Sequence, residues 1–458
     1  MTPAQSSVLI AELAVRPNER IFSGPKGSTS VEPLVMALFL ELSSRAGALV
    51  TRRELFDRLW GSVAVGDDNL NRLVALLRRT LNDLGVTSLR IETVPATGYF
   101  LRLEAGGRSQ DVRQAISEAR DSWKLGMPEP DLLRIALLER AGQMDTQDAE
   151  VFGLSALLHR HAAEYADPEQ AASHVQSCDT AARRALEIDP EQVEALTALV
   201  SVAPLYGQWF DASRRLSELC ANHPGHPVPE NDLSIVEMAT GQVLAAKRRR
   251  DRLLAADPLT AQFCYKSVYH HWSVEDHVGM DHLADSAMQL WPLHPAVWTV
   301  RFWTFAYTGR FGAAQAVLAR RPPQIPEPMV AFLRRAATAA ESGETAAHDE
   351  VAAQASSLVS KGPAHAIAAL FALSLIGRTD DVFEVAKRYY LHDGQGPVPL
   401  QALAGSPKLN EQHRRLTQVL FTPVFAALRQ DRRFDELCGG IGLTAFWEQS
   451  EITPDYQL

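Results

Sequence analysis

Cysteine is scarce in this chain, with four residues among 458 and no C-x-x-C pair. No two of them lie close together in the sequence; they are Cys178, Cys220, Cys264 and Cys438. A disulfide framework or a zinc site of familiar spacing is therefore not indicated. We expect buried thiols in a reducing compartment.

Segments that direct a chain to or through a membrane are also lacking. The first residues contain no basic stretch followed by a long apolar run, so no signal peptide is predicted. The longest apolar stretch, near 365–376, is shorter than the roughly 18–20 residues that a membrane span needs. We therefore expect a cytoplasmic protein with no membrane partner.

Motifs of catalysis are missing too. The sequence has no nucleophile elbow, phosphate-binding loop, H-E-x-x-H zinc motif or dinucleotide fingerprint. No carboxylate or cysteine joins its 14 histidines at the spacing of metal ligands. An enzyme, a metal site and a bound cofactor are therefore not expected.

The net charge of −10 is distributed unevenly. Residues 1–105 contain 12 basic and 11 acidic residues, whereas the remainder contains 33 and 44. An acidic chain is poorly suited to coating nucleic acid along its whole length. A near-neutral head on an acidic body instead fits DNA contact that is confined to the head.

The first hundred residues predict three helices and a hairpin. Helical spacing of apolar residues predicts a helix over 32–47. Thr51 and Glu54 match a capping box, which opens a helix that ends at Trp60. After a loop at 61–67 comes a third helix at about 68–84, and then two β-rich runs, Arg90 to Val94 and Tyr99 to Leu103.

The third helix is amphipathic. Projection at 100° per residue gathers five apolar side chains on one face: Leu70, Leu73, Val74, Leu77 and Leu81. Arg72, Ala75 and Arg79 lie on the opposite face, with Asn71 and Arg78 on one flank. Such a helix suits the major groove of DNA, where arginine reads guanine edges or holds phosphate and asparagine reads adenine.

Several segments resemble one known family. Residues 31–38, 49–55 with Leu59-Trp60-Gly61, 77–81, and 91–95 with Gly98-Tyr99 look like the OmpR/PhoB-type winged helix in its ToxR/CadC-like branch. The resemblance covers about residues 8–104. It implies that the third helix reads the major groove, that the wing at 95–99 enters the minor groove, and that loop 61–67 can touch RNA polymerase. The DNA-binding residues so predicted are Thr51, Arg52, Arg53, Asn69, Asn71, Arg72, Ala75, Arg78, Arg79, Thr97 and Tyr99.

Two departures from this family reduce the expected affinity for DNA. The middle of the third helix has Ala75-Leu76 where basic residues are common, and the wing has Pro95-Ala96-Thr97 in place of Arg or Lys. Each phosphate contact that is lost removes roughly one unit of salt dependence. We expect weak binding by a monomer, with dimerisation or tandem sites restoring affinity. The alternative is a winged helix that has lost DNA binding and contacts proteins.

Beyond a polar linker at 106–112, the chain shows a 34-residue period. Five prolines keep this spacing: Pro190, Pro224, Pro258, Pro292 and Pro326. Glycines keep it as well, with one member replaced by Glu275; they are Gly207, Gly241, Gly309, Gly343 and Gly377. A 34-residue helix–turn–helix repeat is the tetratricopeptide (TPR) pattern, with glycine in the turn and proline between units.

The predicted fold is therefore mainly α: an N-terminal winged helix-turn-helix (α+β) over 1–105, followed by an α-helical TPR-like solenoid over 113–448 and a tail at 449–458. The regular repeats span about 159–390. Stacked repeats of this kind form concave surfaces that bind peptides, helices or small molecules. We expect a protein or small-molecule effector there, or a second copy of the chain.

Residues 263–311 contain eleven aromatic residues. One interpretation is a ligand or partner pocket with aromatic walls and polar groups. Its candidate residues are Tyr269, His270, Trp272, Trp298, Phe302 and Trp303. The other interpretation is that these side chains fill the interfaces between repeats.

A basic run, Lys247-Arg248-Arg249-Arg250 with Arg252, is expected to form a solvated helix face. Contact with DNA phosphates or an acidic partner is the alternative. Taken together, the sequence predicts a soluble, one-component, sequence-specific transcriptional regulator. The competing hypothesis is a TPR adaptor whose winged helix mediates protein contacts and no longer reads DNA.

Overall fold

The computed structural model describes residues 8–10, 13–61, 66–94, 97–103, 108–126, 132–165, 168–203, 205–391 and 417–458. The chain divides into two compact units, Met1–Arg113 and Gln114–Leu458. The boundary falls within a helix that begins at Gln110. Residues 110–112 of the linker predicted at 106–112 belong to this helix, and its residues 106–107 lie outside the described part of the chain.

The N-terminal unit begins with a four-stranded antiparallel sheet that the sequence analysis did not predict. Its strands are β1 (Val8–Ile10), β2 (Leu13–Arg16), β3 (Ile21–Gly24) and β4 (Gly27–Ser30), paired in sequence order. Leu13, Val15 and Phe22 direct their side chains into the core and are fully buried. The alternation of buried and half-buried residues in β2 is typical of a sheet with one face on the core.

Three helices and a second sheet complete this unit. The helices are α1 (Pro33–Ser43), α2 (Arg52–Trp60) and α3 (Asp67–Asp83). The strands β5 (Val50–Thr51), β6 (Leu89–Val94) and β7 (Gly98–Leu103) pair in the order β5-β7-β6. The predicted α2 is confirmed at both ends, and α1, α3 and the hairpin are confirmed with small shifts of their bounds.

The second unit is a long succession of helices. They are α4 (Gln110–Leu125), α5 (Leu132–Met144), α6 (Ala149–Tyr165), α7 (Pro168–Ile188), α8 (Val193–Ser201), α9 (Trp209–Asn222), α10 (Pro227–Ala239), α11 (Val243–Ala256), α12 (Ala261–Ser273), α13 (His277–Leu290), α14 (Pro295–Tyr307), α15 (Phe311–Leu318), α16 (Glu327–Ser342), α17 (Thr345–Val359), α18 (Pro363–Leu375), α19 (Thr379–Ala386), α20 (Arg432–Ile441) and α21 (Leu443–Ser450). The predicted fold class, mainly α behind a small α+β unit, is confirmed.

The helices from α8 to α19 form successive pairs, and the predicted glycines lie in the turns within pairs. Gly207, Gly241, Gly309, Gly343 and Gly377 all have φ between 67° and 84°. This left-handed conformation is accessible to glycine at no steric cost. The periodic prolines instead lie between pairs, as at Pro258 between α11 and α12.

Glu275 occupies the equivalent turn between α12 and α13, where the glycine period is interrupted. Its φ is 59°, so the backbone keeps the left-handed conformation without a glycine. The pairing of the helices therefore imposes the turn geometry. A residue with a Cβ atom adopts this conformation at a cost in conformational free energy.

The last described segment packs on the helical pairs. Trp209 donates from Nε1 to the carbonyl of Ile441 at 3.1 Å, and Trp447 donates to the carbonyl of Thr240 at 2.7 Å. The backbone N–H of Leu244 donates to a carboxylate oxygen of Asp455 at 2.7 Å. The residues expected to form a tail at 449–458 are thus held against the helical unit.

The four cysteines are free and buried, as predicted. Burial raises the pKa of the Cys178 thiol to about 12, so at neutral pH it is the unreactive protonated form. No helix in the described part of the chain is long and apolar enough to cross a membrane.

Candidate nucleic-acid interface

Helix α3 separates a buried face from an exposed one, as its sequence predicts. Its five predicted core residues are each at most 4% exposed: Leu70, Leu73, Val74, Leu77 and Leu81. Asn71, Arg72, Ala75 and Arg79 are exposed, as is Asn69 near the start of the helix. The helix is therefore anchored on one side and presents polar and small side chains on the other.

Helix α2 begins with the predicted capping box. The Thr51 hydroxyl accepts from the backbone N–H of Glu54 at 3.2 Å and donates to its carboxylate at 2.7 Å. The Glu54 carboxylate accepts in turn from the Thr51 N–H at 2.8 Å. These hydrogen bonds with Thr51, and next one from the Arg45 side chain, lower the pKa of Glu54 to about 2. The hydroxyl of Thr51, predicted to contact DNA, is thus already engaged in the cap.

Arg52 is the centre of a hydrogen-bonded cluster. It donates to Asp67 Oδ1 at 3.1 Å, to Asn71 Oδ1 at 3.0 Å and to the Tyr99 hydroxyl at 3.0 Å. Tyr99 also donates to Asn71 Oδ1, at 2.8 Å. Because arginine has donors only, the amide atom of Asn71 that faces it is the oxygen. The cluster connects α2, α3 and β7.

Sequence reasoning did not identify Asp67 as a member of this cluster. Its carboxylate lies at the first position of α3, where the helix dipole also favours an acidic side chain. An acidic pair at the start of α3, Asp67 and Asp68, was the available signal. The partner across the structure, Arg52, could be identified only from the fold.

Arg78 contacts strand β6. Its Nε and Nη2 donate to the carbonyl of Ile91 at 3.0 and 2.6 Å, and Nη2 also donates to the Thr93 hydroxyl at 2.9 Å. The sequence placed Arg78 among the DNA-binding residues. These contacts hold the hairpin against α3, and the role of Arg78 in DNA binding stays a prediction.

Three predicted arginines differ from Arg52 and Arg78. Arg53, Arg72 and Arg79 are exposed, and no hydrogen bond or ion pair engages their side chains among the residues that the structure describes. Their guanidinium donors face solvent. They are the cations of the predicted interface that can bind phosphate or base edges without first breaking an internal contact.

The hairpin closes tightly onto α2. Thr51 pairs with Gly98 and Val50 with Tyr99. A Cβ added at Gly98 would lie 2.1 Å from the carbonyl oxygen of Val50, so glycine is required there by close approach. The Thr97 carbonyl accepts from the backbone N–H of Arg52 at 2.9 Å. Wing residues 95–96 and residues 62–65 of the loop predicted to touch RNA polymerase lie outside the described residues.

The candidate pocket residues of the second unit are packed together. Trp272, Trp298, Phe302 and Trp303 are at most 1% exposed, and His270 is 2% exposed. Phe302 and Trp303 contact edge to face with ring centroids 4.8 Å apart, and Trp298 Nε1 donates to the carbonyl of Val317 at 2.9 Å. Tyr269 is half-buried, and its ring centroid lies 6.3 Å from that of Trp272. These contacts favour the interpretation that the aromatic residues form core.

The basic run on α11 is not the solvated face that the sequence predicts. Arg249 pairs with Glu230 and Glu237 of α10, the latter at 2.9 Å. Arg250 is fully buried and donates to Asn231 Oδ1 at 2.7 Å and to the Ser234 hydroxyl. Burial lowers the pKa of Arg250 to about 10. Only part of the run is exposed, including Arg248 and Arg252, because Arg249 and Arg250 are bound to the preceding helix.

Comparison with known proteins found a matching family within the N-terminal unit. Residues 27–101 match the family described as "Transcriptional regulatory protein, C terminal". Among solved structures, the chain is similar to the DNA-binding domain of E. coli CadC, with 28% sequence identity, a TM-score of 0.21, and coverage of 22% of this chain and 95% of that chain. No curated protein matches the chain. The family match agrees with the coarse part of the sequence prediction, a domain of transcriptional regulatory proteins, for residues 27–101.

Proposed function

We propose that this chain is a sequence-specific transcriptional regulator whose N-terminal unit binds double-stranded DNA through α3. The observation that carries the proposal is the pair of uncommitted arginines, Arg72 and Arg79, on the exposed face of a helix whose other face is buried. A helix of this kind fits the major groove, and its arginines can reach base edges there. The match over residues 27–101 supports the same assignment.

The affinity of a single N-terminal unit is low in this proposal. Residues 1–105 contain almost equal numbers of basic and acidic residues, and Arg52 and Arg78 are engaged internally. Few basic side chains are left to bind DNA phosphates and so release the counterions of the DNA. This release supplies most of the non-specific affinity for DNA. Two chains bound to adjacent half-sites would restore affinity, so the proposal includes a homodimer or tandem sites.

The helical unit is proposed to be TPR-like and to receive the signal. Its support is the 34-residue spacing of the turn glycines and their shared left-handed backbone. Arrays of this kind bind a protein, peptide or small molecule, or a second copy of the chain. In this proposal such binding controls oligomerisation or contact with RNA polymerase, and the loop at 61–67 is the proposed polymerase contact.

A binding assay tests this proposal. The full chain is titrated with labelled random duplex DNA and with labelled genomic fragments from its source, over a series of salt concentrations. The regulator is expected to bind some fragments at least about tenfold more tightly than random DNA, because specific complexes exceed non-specific ones by large factors. Equal affinity for all fragments at low salt would contradict it and favour the adaptor hypothesis.

Paired variants separate a DNA-binding surface from a general charge effect. Replacing both Arg72 and Arg79 by Ala is expected to remove specific binding. Arg58→Ala, which removes another exposed arginine of the same unit, is the matched control and should retain it. If the double variant binds as the wild type does, α3 is not the DNA-reading helix.

A further inference from the structure

The exposed face of α3 contains a small set of groups that can read bases. Arg72 and Arg79 lie seven residues apart, so they project within about 20° of each other, almost two helical turns apart. Ala75 lies between them and is exposed. Two further polar candidates on α3 are Asn69, which is exposed near the start of the helix, and Asn71, whose side chain forms part of the Arg52 cluster.

Asn71 cannot read adenine while this cluster is intact. Reading adenine requires the amide oxygen to accept from N6 while the amide nitrogen donates to N7. A carbonyl oxygen has two acceptor sites, and the oxygen of Asn71 already accepts from Arg52 at 3.0 Å and from Tyr99 at 2.8 Å. The residue is therefore a positioning residue, which connects α3 to α2 and β7.

The two arginines set a distance on the DNA. With a rise of about 1.5 Å per residue, seven residues separate them by about 10.5 Å along the helix axis. Base pairs rise by about 3.4 Å, so on a helix that follows the inclined major groove this separation corresponds to about two to three base pairs. Arginine reads guanine through O6 and N7, and the methyl group of alanine contacts the C5-methyl group of thymine.

On the basis of the proposed function, we infer that each DNA half-site contains two guanines about two to three base pairs apart, read by Arg72 and Arg79, with a thymine between them that faces Ala75. Adenine is not read by Asn71. The recognised class of DNA is thus defined by a guanine pair at fixed spacing. In the resembled family, basic residues are common at the centre of this helix, where the chain has Ala75-Leu76. In this inference Ala75 contributes to base recognition through its methyl group.

Selection of binding sites by the full chain tests this inference. A duplex library with a randomised centre is enriched with the wild type, with Arg72→Ala, with Arg79→Ala, with Asn71→Ala and with the control Arg58→Ala. The wild type and the control are expected to enrich the guanine pair. Each arginine variant should lose the preference at one guanine only, a preference of roughly tenfold for a good arginine–guanine contact. Asn71→Ala should weaken binding evenly without changing any base preference.

The outcomes distinguish a failure of the inferred base readout from a failure of the proposed function. Failure of the wild type to enrich any motif would overturn the proposed function, and the inference with it. Enrichment of a motif without the guanine pair would overturn the inference alone. So would arginine variants that lower affinity evenly and reduce the salt dependence by about one unit, as lost phosphate contacts do. Loss of an adenine preference in Asn71→Ala would show that the amide does read a base.

Discussion

Tyr99 donates a hydrogen bond from its hydroxyl to Asn71 Oδ1 across 2.8 Å, which connects strand β7 to the exposed flank of α3. Arg52 donates to the same oxygen from the first turn of α2. The three elements that frame the proposed DNA surface thus meet at one amide oxygen. Tyr99 is 3% exposed, so its hydroxyl is the polar end of a buried side chain.

Tyr99→Phe removes this hydroxyl and leaves the ring in place. We expect the N-terminal unit to lose about 1 kcal/mol, the usual net value of a hydrogen bond within a protein. Hydrogen–deuterium exchange measures the loss without unfolding the second unit, and 1 kcal/mol corresponds to roughly fivefold faster exchange of the α3 amides. Ser28→Ala, which removes an exposed hydroxyl contact to Ser23, is the control and should change exchange little. Equal exchange in Tyr99→Phe and the wild type would show that the contact adds no stability.

Two arginines of α11, two positions apart, are expected to differ in their effect on stability. Arg250 is fully buried, with Asn231 and Ser234 as partners, whereas Arg248 is exposed. Arg250→Ala is expected to lower the free energy of unfolding by about 3 kcal/mol, since it leaves a cavity and deprives buried polar groups of their donor. Arg248→Ala should stay within about 0.5 kcal/mol of the wild type. Urea unfolding of the full chain, followed by circular dichroism, measures both, and equal effects would contradict the buried placement of Arg250.

Local patterns predicted the elements whose stabilising contacts are local. The capping box and the bounds of α2 depend on residues three positions apart, and the buried face of α3 depends on one helical period. The turn glycines repeat because each helical pair requires the same left-handed residue. In these places the sequence and the structure agree closely.

Features fixed by distant contacts were not predicted. Strand β4 consists of four exposed residues, so it offers no apolar alternation to identify it. Arg78 could be assigned to β6 only once the hairpin was placed beside α3. The basic run was interpreted as solvated because its partners on α10 lie 12 to 19 residues earlier in the chain. The two uncommitted arginines of α3 are distinguished from Arg52 and Arg78 by such contacts alone.

Replacement of Glu275 by glycine is expected to stabilise the chain. Its left-handed φ of 59° costs a residue with Cβ roughly 1–2 kcal/mol, which glycine avoids. The greater freedom of glycine in the unfolded chain offsets part of this gain. We therefore expect Glu275→Gly to raise the free energy of unfolding by about 0.5–1 kcal/mol, as measured by urea unfolding.

Gly309→Ala is the matched substitution, for which we expect the free energy of unfolding to fall. Gly309 occupies the equivalent turn of the next helical pair with φ 70°, and a Cβ there would meet no atom within 4 Å. Any loss of stability in this variant is therefore due to backbone strain and not to a steric contact, and it is reduced by the entropy that alanine removes from the unfolded chain. We expect a net loss of about 1 kcal/mol. If Gly309→Ala is neutral, the left-handed turns are not the reason for the glycine period.

The burial of His159 beside His174 leads us to expect that the helical unit loses stability in acid. Their Nδ1 atoms are 3.0 Å apart. Burial, and next the neighbouring His174, lowers the pKa of His159 from 6.5 to about 4. Above pH 6.5 the imidazole is neutral in both the folded and the unfolded chain. Between pH 6.5 and 4 the unfolded chain binds a proton at this position that the folded chain does not bind, so unfolding becomes more favourable as the pH falls.

The size of this effect separates His159 from the other histidines. From pH 7 to pH 5, His159 alone accounts for a loss of about 2 kcal/mol, and burial lowers the pKa of His174 and His270 in the same direction. In His159→Gln, which cannot titrate, the loss measured by urea unfolding at pH 7, 6 and 5 should be smaller than in the wild type. His282→Gln, at an exposed position on α13, serves as the control and should keep the wild-type dependence. An undiminished loss in His159→Gln would mean that His159 is protonated equally in the folded and unfolded chains, and that its burial does not cause the sensitivity to acid.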